Sequence, residues 1–372
     1  MRAELLRSLP APACAYLYDT AALRARAAMV RAALPASATL LYAVKANGHP
    51  SVVSALASVC DGLEVASGGE LALAREAGAR RIVFGGPGKT DAELSAALAA
   101  DALINVESVH ELRRIAALSG DATPSVCLRV NRPGGGLTGS HAMTGAPTPF
   151  GIEEAQLGEA MAVPGVTVVG FHLHAVSNNL DGPAHAAFVT SSLAWSVRTA
   201  GALGIALRVV NVGGGFGVDY RSADSMDLST LSRVVVPDGI DLIFEPGRFL
   251  AADAGFYAAT VLDLKTTHGR TFAVLRGGTH HFRLPAAWGY SHPFTIVPVD
   301  SWPHPYPRPS VTDVEVDAVG ELCTPRDVLT RGQHVRSLRA GDILVFARTG
   351  AYGWDISHHD FLRHDPPTFL IV

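Results

Sequence analysis

Several apolar runs in this chain end in a residue that could do chemistry. LLYAVKANGHPSV (residues 40–52) delivers Lys45 after Leu40–Val44, and Asn47-Gly48 and Pro50 then break the chain. VTVVGFHLH ends in His172 and His174, LRVVNVGGG in Gly213-Gly214-Gly215, and IDLIFEPGRFL in Glu245, with Arg248 three residues on. A lysine in an apolar neighbourhood tends toward a lowered pKa, which frees its amine for Schiff-base chemistry. The alternative is a lysine snorkelling at a rim. Consecutive glycines after a strand expose N–H groups that can cradle a phosphate, although flexible turns use the same residues. Glu245 and Arg248 supply an inward acid and a nearby cation, or else a structural ion pair. Together a Schiff-base lysine, a phosphate cradle, a flat-stacking histidine and a carboxylate describe a pocket for pyridoxal 5'-phosphate (PLP).

Such residues need a scaffold that gathers strand ends. From about residue 37 to 250, eight short apolar runs (TLLYAVK, GLEVAS, RIVFGG, ALINV, SVCLRVN, VTVVGFHLH, LRVVNVGGG, IDLIFEPG) alternate with Ala-rich helical stretches. Ser67, Thr90 and Glu107 stand near helix starts as caps or first-turn acids. Apolar strands joined by helices imply a parallel sheet covered on both faces. Eight units favour a (β/α)8 TIM barrel over an open doubly wound sheet. In such a barrel the reactive groups sit at the C-terminal strand ends, with Lys45 ending the first strand. After residue 250 the strand-like runs lack intervening helices and read as an all-β domain. The expected division is an N-terminal segment 1–24 whose strand ACAYLYDT pairs with the β domain, a PLP-binding barrel 25–250, and a β domain 251–372.

Composition narrows the partners. Hydrophobic residues make up 48% and charged residues 17% of the 372, which leaves ample core and excludes disorder. A net charge of −4 gives no basic footprint for nucleic acid. Cys14, Cys60, Cys127 and Cys323 show no metal-ligand spacing and no disulfide framework, which fits a reducing cytoplasm. No signal peptide and no membrane span are expected.

The chain resembles the fold type III PLP decarboxylases, which include diaminopimelate and ornithine decarboxylases. YAVKAN, EVASGGEL, GFHLH, NVGGGFG, FEPGRF, GELC and GAYGWD carry the resemblance, in family order over nearly the whole chain. The resemblance implies that Lys45 holds the cofactor aldehyde and His174 stacks on its ring. It makes Ser177, Gly214, Gly215, Gly247, Arg248 and Tyr352 cofactor contacts. Glu245 becomes the acid on the pyridinium nitrogen, which argues decarboxylase over racemase. Cys323 matches the cysteine that crosses a homodimer interface to reprotonate the product, although a buried apolar cysteine is the plain alternative.

Two departures bear on the substrate. Val176 replaces a glycine two residues beyond the stacking histidine, which weakens the phosphate assignment of Ser177. Thr324 follows Cys323 where decarboxylases of diamino substrates carry an acid for the distal ammonium. The segments around it are rich in His280, His281, Arg283, His292, His304, Arg308 and Arg326. Arginine offers bidentate recognition of carboxylates. A zinc site is disfavoured, because adjacent histidines on a strand point apart. Arg283, His281 and Thr324 are therefore the expected substrate residues, with Arg283 the anchor because HFRLP resembles the substrate-carboxylate segment of diaminopimelate decarboxylases. GGTHHFRLPAAWGYSHPF and ISHHDFL resemble the siderophore-pathway branch, staphyloferrin B being the model. The expected reaction is decarboxylation of citryl-diaminopropionate. The alternatives are diaminopimelate or another diamino-acid decarboxylation, amino-acid racemisation, and a non-catalytic PLP carrier.

Overall fold

The computed structural model describes residues 2–133, 137–222 and 224–372. The described chain divides into two compact units. One is Leu23–Asp219 with Asp224–Leu250, and the other takes the described residues of Met1–Ala22, of Tyr220–Ala223, and Ala251–Val372.

The first unit is a closed barrel of eight parallel strands. In chain order they are Thr39–Ala43, Gly62–Val65, Ile82–Phe84, Leu103–Val106, Ser125–Asn131, Thr167–His172, Val209–Asn211 and Asp241–Phe244. The first pairs with the second and the eighth, and the fourth pairs with the fifth, which closes the ring. Leu41, Val83, Cys127, Val169, Val209 and Ile243 fill its interior as one buried cluster, so the barrel is a packed core with chemistry confined to its ends. Local sequence sets the helix starts. Ser67 caps the helix Gly68–Glu76 through the Glu70 N–H at 3.2 Å, and Thr90 with Glu93 forms a full capping box. The expectation for Glu107 needs correction, because Ser108 is the cap of Val109–Leu118 and Glu107 is turned elsewhere.

The second unit is built on a mostly antiparallel sheet in the order Phe294–Val297, Ile343–Ala347, Gly255–Thr267, Arg270–Leu275, Ser310–Val319, Val328–Arg339. The strand Cys14–Tyr18 joins it, antiparallel to Gly255–Thr267 and parallel to Thr368–Ile371. Leu6, Ala15, Leu17, Ala258, Val297 and Ile343 form its core cluster. Two features escape the sequence pattern. Val328–Arg339 is a long strand whose signal is diluted by Arg331, Gly332, Gln333 and His334, and a short helix, Leu284–Trp288, interrupts the β run. Among the described residues no helix is long and apolar enough to cross a membrane.

Candidate active site

Lys45 does not end a strand. The strand stops at Ala43, and Val44–Ala46 is a 3-10 turn whose two flanking residues are buried, so only the lysine side chain is free to leave the wall. Its Nζ donates to Glu64 Oε2 at 2.6 Å, pairing a half-exposed lysine with a buried carboxylate on the neighbouring strand. Gly247 packs directly on this turn. A Cβ there would lie 2.8 Å from the Ala46 Cβ and 3.0 Å from the Ala43 carbonyl oxygen, so the turn and the eighth-strand loop fit only without a side chain.

Glu245 stands one residue past the eighth strand and is buried. Asn211 Nδ2 donates to its Oε1 at 2.5 Å, and His172 Nε2 lies 3.6 Å from its Oε2. Burial, with repulsion from Glu64 as the second cause, pushes the carboxyl up to about 7. Asn211 also accepts from the Gly213 N–H at 2.9 Å, and the Glu245 N–H donates to the Gly213 carbonyl at 2.8 Å. One amide side chain thus fixes both the acid and the start of the glycine loop.

The raised pKa has a measurable consequence for the cofactor-free protein. A folded-state pKa above the unfolded one means the native state holds the extra proton. Glu245 therefore costs stability progressively as pH rises from the ordinary carboxylate range to about 7. Glu245→Gln removes that ionisation and keeps an oxygen for Asn211. The cofactor-free variant is expected to be more stable than the parent by about 1–3 kcal/mol at pH 8. Thermal denaturation across pH should show the gap closing toward pH 5, and a pH-independent gap would contradict the assignment.

The glycine loop lies against His174. Gly213 has φ +68°, and a Cβ on it would come within 2.5–2.8 Å of the His174 Nδ1, Cγ and Cβ. The imidazole can therefore lie flat along the loop only because the residue there is glycine. His174 is nearly parallel to His172, with ring planes 12° apart and centroids 6.3 Å apart. Burial, then the nearby Arg129 charge, holds the pKa of both well below the usual histidine range, so both are neutral at pH 7. Both ring nitrogens of His172 are buried without a hydrogen-bond partner, an arrangement that calls for a further group. Gly214 rides on the Glu245 carbonyl, and the Gly215 carbonyl accepts from the Asn179 N–H at 2.7 Å. Arg248 is buried and begins the helical turn Arg248–Ala251. Ser177, partly exposed, sits in a two-residue pairing of Val176–Ser177 with His141–Ala142. Val176 turns its carbonyl toward Gly215, so its side chain does not stand between Ser177 and the loop.

Glu64, Arg129 and Asn211 were not singled out from sequence, yet each lies in or at the end of an apolar barrel strand, which was the available signal. Arg129 is buried and donates to Glu107 Oε1 at 2.7 Å, while Glu107 Oε2 accepts from the Gly151 N–H at 2.8 Å. A second buried pair, Lys89 and Glu111 at 2.6 Å, is tied to Glu107 because Glu111 Oε2 accepts the Glu107 N–H at 2.9 Å. Paired charges of this kind avoid the large penalty of a lone buried ion and hold Arg129 in place.

The other expected site residues belong to the second unit. Tyr352 is held at φ +54°, an uncommon left-handed conformation for a non-glycine residue, between Gly350 and Gly353. Cys323 is exposed, whereas Cys14, Cys60 and Cys127 are buried and all four thiols are free. Arg283 and Thr324 share one cavity wall. His281 is elsewhere, 1% exposed, with Nδ1 3.2 Å from Cys14 Sγ and its pKa driven down by burial to about 3. The expectation that His280 and His281 point apart is also corrected. They lie in a turn rather than a strand, with centroids 3.9 Å apart. Even so, no group of three or more metal-binding side chains occurs among the described residues.

The family model described as "Pyridoxal-dependent decarboxylase, pyridoxal binding domain" matches residues 20–252. The chain belongs to this family of PLP-dependent decarboxylases, and PLP is its cofactor. It is 38% identical, over 99% of its length and 96% of the relative's, to the 2-[(L-alanin-3-ylcarbamoyl)methyl]-2-hydroxybutanedioate decarboxylase of Staphylococcus aureus. It is 32% identical, over 96% of the chain and 88% of the relative, to an L-glutamyl-[BtrI acyl-carrier protein] decarboxylase of Niallia circulans. Diaminopimelate decarboxylase from Helicobacter pylori, solved with L-lysine, superposes with a TM-score of 0.83 at 26% identity, covering 96% of this chain and 90% of that one. The barrel residues suit the cofactor on their own terms. The glycine loop leaves no room for a Cβ against His174, the His172 imidazole has unmet hydrogen-bonding capacity, and the buried acid is held by an amide.

Proposed function

We propose that this enzyme decarboxylates an amino acid whose distal end carries carboxylates, citryl-diaminopropionate being the substrate that fits best. The name of the Staphylococcus aureus relative describes that molecule: an alanine moiety joined through its third carbon and an amide to a 2-hydroxybutanedioate. The observation that carries the reading is the cavity in the second unit. Thr324 and Arg283 share its wall, and no aspartate or glutamate is among its described lining residues. A distal ammonium would find no counter-charge there, and a distal carboxylate would.

Bound PLP supplies an electron sink for the carbanion left by departing CO2. Lys45 would hold the cofactor, and Glu64 Oε2, at 2.6 Å from Nζ, is placed to accept the proton that the amine must lose before it reacts. His174, neutral and backed by Gly213, would stack on the ring. Gly214, Gly215, Gly247, Arg248 and Ser177 would hold the phosphate. Glu245, positioned by Asn211, would face the ring nitrogen, and its raised pKa suits it to holding a proton there near neutral pH. Cys323 serves a partner subunit in a homodimer and returns the proton to the product carbon. Its exposure supports this role, since a thiol meant for another chain must stand clear of its own core. Four unpaired thiols support a cytoplasmic setting. The expected domain limits, 1–24, 25–250 and 251–372, remain the proposed functional division.

Comparison of kcat/KM for citryl-diaminopropionate, diaminopimelate, lysine and ornithine on one preparation tests the substrate. A basic diamino acid emerging as the best substrate overturns the reading.

A further inference from the structure

We propose that Arg326 and Arg331, with Arg283, form a polycarboxylate subsite that grips both acids of a hydroxydicarboxylate group. The inference rests on the substrate reading above and adds the residues that would read the far end. All three arginines line a single cavity of about 840 Å3 in the second unit, within the usual size range of small-molecule pockets, about 300–1,000 Å3.

Three features mark this cavity as an anion site. First, the residues lining the cavity include three arginines and His358, with no aspartate or glutamate among those described. Second, no described carboxylate forms an ion pair with Arg283, Arg326 or Arg331, all three of which are exposed and so reachable by a ligand. Third, the backbone that carries them is pinned. The Arg331 N–H donates to Ser291 Oγ at 2.8 Å, and Ser291 Oγ donates to the Arg331 carbonyl at 3.1 Å. Asp327 is buried and accepts from the Thr279 N–H at 2.6 Å and the Leu322 N–H at 2.8 Å, which ties the Thr324–Arg326 turn to the segment leading into Arg283. That carboxylate is consumed by backbone donors and is not part of the cavity wall.

A lone distal carboxylate needs one guanidinium, as a bidentate pair. Three around one cavity exceed that need and match a ligand with two carboxylates and a hydroxyl at its distal end. Such an arrangement also discriminates, since a distal ammonium would meet only like charge.

Citrate is the matching probe, because it carries the distal group without the amino acid. Calorimetric titration of citrate into the PLP-loaded protein should show binding. Arg326→Gln and Arg331→Gln should each weaken it by about tenfold or more. Arg336→Gln, exposed on the same strand and absent from the cavity wall, should leave it unchanged. The PLP absorbance and melting temperature of each variant should match the parent. Citrate that fails to bind, or binds all variants equally, overturns the subsite. Turnover is read separately: diaminopimelate proving the best substrate while citrate still depends on Arg326 and Arg331 removes the substrate reading and supports the subsite. Efficient turnover of citryl-diaminopropionate without that dependence does the reverse.

Discussion

Lys45→Ala is expected to lower kcat by about 10²–10⁴-fold or more, the range lost when a positioned proton-transfer group is removed. Attachment of the cofactor would be lost with it. The parent protein should be yellow, and borohydride should bleach it and leave a pyridoxyl tag on Lys45 alone. The variant should bind PLP only reversibly and give no tagged peptide. The 3-10 turn explains the focus on one side chain: Val44 and Ala46 are buried on either side, and Lys45 alone reaches outward, toward Glu64. Tagging at Lys89 would contradict the assignment, and the structure argues against it, because Lys89 is buried and engaged by Glu111 and two backbone carbonyls.

Equally large is the effect expected from mixing two inactive chains. If Cys323 serves the other subunit's pocket, Lys45→Ala and Cys323→Ala are each inactive as homodimers. A hybrid dimer nevertheless holds one intact pair. In a two-fold symmetric dimer formed at random from equal amounts, about a quarter of the pockets are complete. Recovered activity should approach that fraction once exchange is finished. No recovery, with exchange verified by mass spectrometry, would mean that each pocket is self-contained.

The barrel was legible because eight apolar runs of strand length alternate with capped helices, and both signals are local. The candidate set stands out in the sequence for a related reason: a lysine, two histidines, three glycines and a glutamate all terminate such runs. The supporting residues were not. Glu64, Arg129 and Asn211 act through partners on other strands, and only closure of the barrel brings Glu64 to Lys45 or Asn211 to Glu245. Glu107 was misread as a helix-start acid because a carboxylate one residue before Ser108 looks like one, whereas burial beside Arg129 decides its direction. His281 lies outside the cavity lined by Arg283 and Thr324 for the opposite reason. Its neighbours in sequence are cationic, but Cys14 and Tyr16, far away in the chain, enclose it. The strand Val328–Arg339 carries a weak sequence signal because its buried apolar residues, Leu329, Val335 and Leu338, are separated by polar ones and by irregular register.

The central claim is that this decarboxylase selects a carboxylated distal end, and kcat/KM for citryl-diaminopropionate against diaminopimelate measures it most directly. Leaving a buried charge without its partner costs about 2–5 kcal/mol. The account therefore predicts a preference of about thirty-fold or more for the citryl substrate. Equal values, or a preference for diaminopimelate, would contradict it.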